Sequence, residues 1–172
     1  MKRQETLEEP MVHLWTDGSS EGKTGPGGYA AVLCFGKARR EICGGFPADH
    51  TNNSMELYAI LTGLEALTRP SNVLIHTDSK DSINWIEGSF KCRVRRNMEI
   101  VLKIRKAIIN AGHAIAFEKV VAHSGDELNE RADQLSKDGR AQSTLLRTPW
   151  RRDLLYIDGV QVESSRPNGE PQ

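Results

Sequence analysis

Apolar and polar positions along the first third of the chain fall into short runs that suit strands, after which the spacing widens to that of helices. The runs Met11 to Asp17, Tyr29 to Gly36 and Arg39 to Phe46 read as strands, the last two pairing as a hairpin. Between the first two, GSSEGKTGPGG is read as loop throughout, with Gly25-Pro26-Gly27-Gly28 as a tight return. From Asn53 to Thr68, Leu57, Ile60, Leu61, Leu64 and Leu67 recur at the spacing of an amphipathic helix, and Pro70 stops it. Asn72 to Thr77 follows as a strand and Ser79 to Glu87 as a short helix. Asn97 to Ala111 is a longer helix with Ile100, Val101, Ile104 and Ile108 inward. Ala114 to Val121 reads as a last core strand, and Glu127 to Ala141 as a final helix carrying Leu128, Ala132 and Leu135. The order β-β-β-α-β-α-α-β-α predicts an α/β fold, a mixed sheet with helices on both faces.

Residues 1–10 are polar and end at Pro10, so they read as a flexible lead-in to one domain over 11–141. In the tail, 142–172, Leu154 to Val162 suggests a strand or a hairpin around Asp158-Gly159, and SSRPNGEPQ has the composition of a disordered end. With 172 residues, the chain is long enough for one core and too short for a second catalytic domain. Cys34, Cys43 and Cys92 form no CxxC pair, which argues against a zinc site or a disulfide framework. MKRQETLEEP lacks a signal peptide's apolar segment and no run approaches a membrane span, so the expectation is a cytoplasmic protein away from membranes, and a monomer is expected. The net charge is zero, so any attraction to nucleic acid must be local.

Two of the predicted strands end on an aspartate, Asp17 in LWTDGSS and Asp78 in IHTDSK. Carboxylates at the carboxyl ends of adjacent strands point into one crevice, and Glu56 in TNNSMEL and Asp133 in LNERADQL, each early in a helix, could reach it. Such a group is tolerable in a low-dielectric cleft only with hard cations bound or with protons shared. Taken singly, each acid also fits an ordinary role: Asp17 in a turn, Asp78 as a helix cap, Glu56 closing a capping box with Asn53, Asp133 in solvent.

TDGSSEGKTGPGGYA, TNNSMELYAIL, TDSK and HSGDELNERADQL, in that order, resemble the signature segments of type 1 ribonuclease H. The resemblance covers roughly 11–141 and implies the ribonuclease H-like fold, a five-stranded mixed sheet (three antiparallel strands, then parallel ones) flanked by helices. It implies cleavage of the RNA strand of RNA/DNA hybrids with two Mg²⁺ ions, Mn²⁺ being able to substitute, leaving 5′-phosphate and 3′-hydroxyl ends. Asp17, Glu56, Asp78 and Asp133 match the family's catalytic and metal-binding set. By similarity Asp17 bridges both ions, Asp133 serves the ion that activates water, and Glu56 and Asp78 serve the ion at the leaving oxygen. Such paired ions stand about 4 Å apart. His123 matches the family's mobile histidine, which transfers a proton or aids product release, and Asn129 stands one helical turn before Asp133.

By the same resemblance, Gly18, Ser19, Asn52 and Asn53 match positions that touch sugars or base edges in the minor groove, where a ribose 2′-hydroxyl distinguishes RNA from DNA. Thr51 and Asn97 match positions that hold a DNA phosphate. Lys23 and Lys80 stand where many relatives have Asn and Gln, and each could exchange a hydrogen bond for a phosphate contact. Asp49 stands near the place of a basic residue that often precedes TNN, which weakens the expected phosphate pocket. The segment between Asp78 and Asn97 is too short for the extra helix and basic handle loop of longer members. A handle-less form is expected, with Phe90, Lys91, Arg93, Arg95 and Arg96, flanked by Trp85, as a ridge for the DNA strand. Two rivals remain: a nuclease or integrase of the same fold acting on DNA, against which Asn52, Asn53, His123 and NERAD speak, and a non-catalytic hybrid-binding module, which would be expected to lose at least one of the four acids.

Overall fold

Eleven elements follow one another in the computed structural model, which describes residues 10–162. They are β1 (Met11–Ser20), β2 (Gly25–Phe35), β3 (Ala38–His50), α1 (Asn52–Glu65), β4 (Asn72–Thr77), α2 (Lys80–Glu87), α3 (Arg95–Ala111), β5 (Ala114–Lys119), α4 (Glu127–Leu146), β6 (Trp150–Ile157) and β7 (Val160–Val162). The expected lead-in and disordered end fall, but for Pro10, outside the described residues.

The strands form one sheet in the order β5-β4-β1-β2-β3-β6-β7. Its first five members are the mixed sheet expected from the sequence: β1, β2 and β3 antiparallel, β4 and β5 parallel to β1. The sheet has seven strands rather than five because the tail adds a hairpin on the free edge of β3. Its two-residue turn, Asp158 and Gly159, has both residues at positive φ, 51° and 77°, as a tight hairpin with the strands' natural twist requires. Arg40 clamps the hairpin by donating to both oxygens of Asp153 at 2.8 and 2.7 Å, and Glu41, only 2% exposed, receives Arg131 of α4 at 2.7 Å.

Strand alternation sorts the side chains onto two layers. Val12, Leu14, Val73 and Ile75 face α1 and α3, meeting Ile60, Leu64, Val101 and Ile104, while Ala30, Val32 and Cys43 face Ala132 and Leu135 of α4. Helices therefore cover both faces, as the element order predicted. β5 is an edge strand: among the described residues it pairs only with β4, and while Ile115 and Phe117 pack against the core its other residues are exposed.

The glycine-rich stretch is also mostly strand. β1 runs on to Ser20 and β2 begins at Gly25, with Ser19 opposite Gly28 and Ser20 opposite Gly27. Gly22, at φ 67°, serves the turn, whereas Gly18, Gly27 and Gly28 are there for packing. A Cβ on Gly28 would lie 1.9 Å from the carbonyl oxygen of Ser136, and one on Gly139 would lie 2.1 Å from that of Gly44. The backbone of α4 thus rests directly on β2 and β3, and this close seat brings α4 to the end of β1.

Candidate active site

The ordinary roles open to the acids are filled by their neighbours. Thr51 caps α1, accepting from the Ser54 amide while the Ser54 hydroxyl accepts from the Thr51 amide, so Glu56 is released from capping. Ser79, not Asp78, caps α2. Asp126 caps α4, accepting from the amides of Leu128 and Asn129.

β1 and β4 are parallel neighbours, with Trp15 opposite His76, so Asp17, still within β1, and Asp78, just past β4, follow two residues later on the same face. α1 begins beside them because Gly18 admits it: a Cβ there would be 2.2 Å from the Glu56 amide nitrogen. Asp17, Glu56 and Asp78 converge, with one oxygen from each within 4.8 Å of the others. Asp133 stands outside that trio, bound to Lys137 at 2.7 Å, although its charge bears on all three.

Burial is the main force on these groups. It raises the Asp17 carboxyl from 3.8 to about 6, the Ser136 hydrogen bond opposing and the charges of Asp78 and Asp133 adding to it. Burial also holds Glu56 well above the usual carboxylate range, with Asp17 and Asp78 reinforcing, and it raises Asp78. Glu56 is 8% exposed, and its Oε2 has no hydrogen-bond partner among the described residues. An unsatisfied buried carboxylate oxygen beside two other acids is a donor set suited to a hard divalent cation.

A prediction for the metal-free protein follows. A carboxyl with a raised folded-state pKa binds protons more readily when folded, so stability is lost as pH climbs from about 4 to about 6. Asp17→Asn removes that loss. In chelator, its stability advantage over wild type should grow by about 2 kcal/mol between pH 4.5 and 7.5. Denaturant melts of both proteins at the two pH values measure it, and a constant difference would contradict it.

Other parts of the site went unseen in the sequence. Trp15 stacks on His76 with centroids 4.2 Å apart and 7° between planes, the two standing two residues before Asp17 and Asp78 on the paired strands. His76 contacts His13 at 3.0 Å and Glu118 at 3.2 Å, and the Trp15 indole donates to Asp126. These contacts join three strands and the start of α4, a pairing visible only once strand order is known. Ser136, fully buried, donates to Asp17 at 2.6 Å across 119 positions of sequence.

Among the residues matched to substrate contacts, Asn52 ties α1 to β1, its carbonyl oxygen receiving the Ser20 amide at 2.7 Å and hydroxyl at 3.0 Å. The Ser19 hydroxyl is buried with no partner among the described residues. Asn97 and Asn129 are buried, Gly18, Thr51 and Asn53 are half-buried, and Lys23, Lys80 and Phe90 are exposed. His123 is exposed in the loop before α4 at φ 55°, near enough to Asp78 for its charge to be felt there. Seven residues separate α2 from α3, too few for a handle helix. Trp85 does not flank an open ridge, because it packs against the core, leaving Phe90 as that stretch's exposed aromatic. Arg96 reaches back from α3 to donate to the Asp49 carbonyl, which places a guanidinium at the position where the sequence had suggested that a basic residue was missing.

Comparison with known proteins agrees with this geometry. The RNase H family profile matches residues 9–141. Ribonuclease HI of Caulobacter vibrioides is 40% identical over 146 residues, covering 78% of this chain and 95% of its own. Among solved structures, the N-terminal RNase H domain of a Mycobacterium tuberculosis protein superposes with a TM-score of 0.67 at 22% identity, covering 81% of this chain and 99% of that one. A compost-derived enzyme, LC11-RNase H1, solved with an RNA/DNA hybrid, superposes at 0.59 and 20% identity over 77% of this chain and 98% of its own. With the profile spanning most of its length and a relative this similar aligned almost end to end, the chain belongs to the ribonuclease H family.

Proposed function

We propose that this ribonuclease H hydrolyses the RNA strand of RNA/DNA hybrids, with Mg²⁺, or Mn²⁺ in its place, held by Asp17, Glu56, Asp78 and Asp133. The observation that carries the reading is the trio of converging acids, one of them buried with an unsatisfied oxygen. Divalent ions there supply charge neutralisation at the phosphodiester and a nucleophilic water at neutral pH. The protein supplies the rest. Lys137 holds Asp133 at 2.7 Å and partly neutralises it. His123, on its exposed loop, moves the proton, an imidazole having one nitrogen to accept it and another to give it up. Gly18, Ser19, Asn52 and Asn53 line the approach for the RNA strand's sugars, and the Asn52 NH₂ is a donor suited to a ribose 2′-hydroxyl. Because every acid comes from one chain, a monomer suffices.

On the DNA side, Thr51 and Asn97 form a phosphate pocket with Arg96 as its cation, and Phe90, Lys91, Arg93 and Arg95 continue the track. Lys23 and Lys80 stand exposed for further backbone contacts. Neutralising Lys91, Arg93, Arg95 and Arg96 together is expected to raise KM for hybrid about tenfold at low salt and to flatten its salt dependence. Steady-state kinetics from 50 to 200 mM salt would measure this, and an unchanged slope would remove the ridge from the binding surface.

End-labelled RNA/DNA hybrid, double-stranded RNA and DNA duplex incubated with the protein and Mg²⁺ test the function. Only the RNA of the hybrid should be cut. Cleavage of the DNA duplex would favour the DNA-directed rival, and binding without cleavage would favour a non-catalytic module.

A further inference from the structure

We propose that Ser136 is a positioning residue that sets the orientation of the Asp17 carboxylate for cation binding. The proposal rests on the reading of the carboxylate cluster as the metal centre. Two buried serines of α4 are alike in all but one respect. Ser136 and Ser143 are both 0% exposed, and each lies 2.9 Å from the carbonyl three residues earlier, those of Asp133 and Arg140. Among the described residues, only Ser136 of the two has a second acceptor, the Asp17 carboxylate at 2.6 Å. A hydroxyl has one proton to give, and the nearer, ionised acceptor makes the stronger bond.

Geometry gives the bond its leverage. Because Gly28 lets the backbone of α4 touch β2, Ser136 cannot withdraw without lifting the helix. Its oxygen is therefore a fixed point against which the Asp17 carboxylate is held, one oxygen engaged and the group's rotation about Cβ–Cγ stopped. A carboxylate so oriented presents its remaining lone pairs to Glu56 and Asp78 without having to be ordered by the arriving ion. Hydrogen-bond partners of metal ligands contribute to affinity in this way, commonly by about 10- to 100-fold.

The test is calorimetric titration of Mn²⁺ into wild type, Ser136→Ala, Ser136→Thr and Ser143→Ala without nucleic acid. Alongside it, hybrid cleavage is followed as a function of Mn²⁺ concentration. Ser136→Ala is expected to weaken Mn²⁺ binding about tenfold and to shift the half-saturating Mn²⁺ concentration equally, with KM for hybrid unchanged. Ser136→Thr, which keeps the hydroxyl, should recover most of the affinity, and Ser143→Ala should bind as wild type does. Wild-type affinity in Ser136→Ala, or an equal loss in Ser143→Ala, would overturn the proposal. Should hybrid not be cleaved by any of the four proteins, the functional reading falls, while the calorimetric contrast between the two serines still decides the role of Ser136.

Discussion

Asp17→Asn is expected to reduce kcat on RNA/DNA hybrid by about 10³-fold or more, while KM moves by less than about threefold. The reasoning is electrostatic. Asp17 shares the field of Asp78 and Asp133, and it alone of the trio has its carboxylate gripped from α4 by Ser136. An amide can keep that hydrogen bond and the packing, so the fold survives, but it removes the charge on which divalent binding depends. The proposed substrate contacts involve other residues, at the end of β1, the start of α1 and on α3, which is why KM should be spared. Single-turnover kinetics with a labelled hybrid separates the two quantities. A fall in kcat below tenfold would remove Asp17 from the centre of the reaction.

Gly28→Ala should produce the second large effect, on stability and activity together. A methyl group there meets the Ser136 carbonyl oxygen at 1.9 Å and the Arg140 amide nitrogen at 2.7 Å, both backbone atoms that no rotamer change can move. Overpacking of this kind costs about 3 kcal/mol. Relief requires α4 to rise from the sheet, carrying Ser136 and Asp133 away from Asp17. A displacement on the order of 1 Å is enough to cost about 100-fold in rate. Gly22→Ala is the control, since nothing lies within 4 Å of a Cβ there and the cost is confined to its φ of +67°, about 1 kcal/mol. Urea melts and cleavage rates of the two variants should differ sharply, and similar behaviour would refute the tight seat of α4.

The contrast between these glycines shows where the sequence is legible. Periodicity placed the helices and most strands because the core positions, Leu57, Ile60 and Leu64 or Val73 and Ile75, repeat at the spacing of their element. Gly28 misled because a glycine needed for close approach looks the same in sequence as one needed for a turn. The edge position of β5 and the attachment of the tail hairpin are properties of strand order, which local pattern does not encode. Asp17 and Asp78 could be read as partners because each follows an apolar strand run, although β1 continues three residues past Asp17, whereas Ser136 and the Trp15–His76 stack required knowing which elements touch. The displaced basic residue is the clearest case. Asp49 suggested a weakened phosphate pocket, and only the fold shows that Arg96, 47 positions later, reaches its carbonyl.

The central claim is that the carboxylate cluster cuts RNA in a hybrid only with divalent cations in place. Its most direct test is the cleavage rate of a labelled hybrid by chelator-treated protein as Mg²⁺ is restored, with the product ends identified. The prediction is no cleavage without cation and a saturable return of activity that leaves 5′-phosphate and 3′-hydroxyl ends. Cleavage that persists in excess chelator, or that yields 2′,3′-cyclic phosphate, would contradict it.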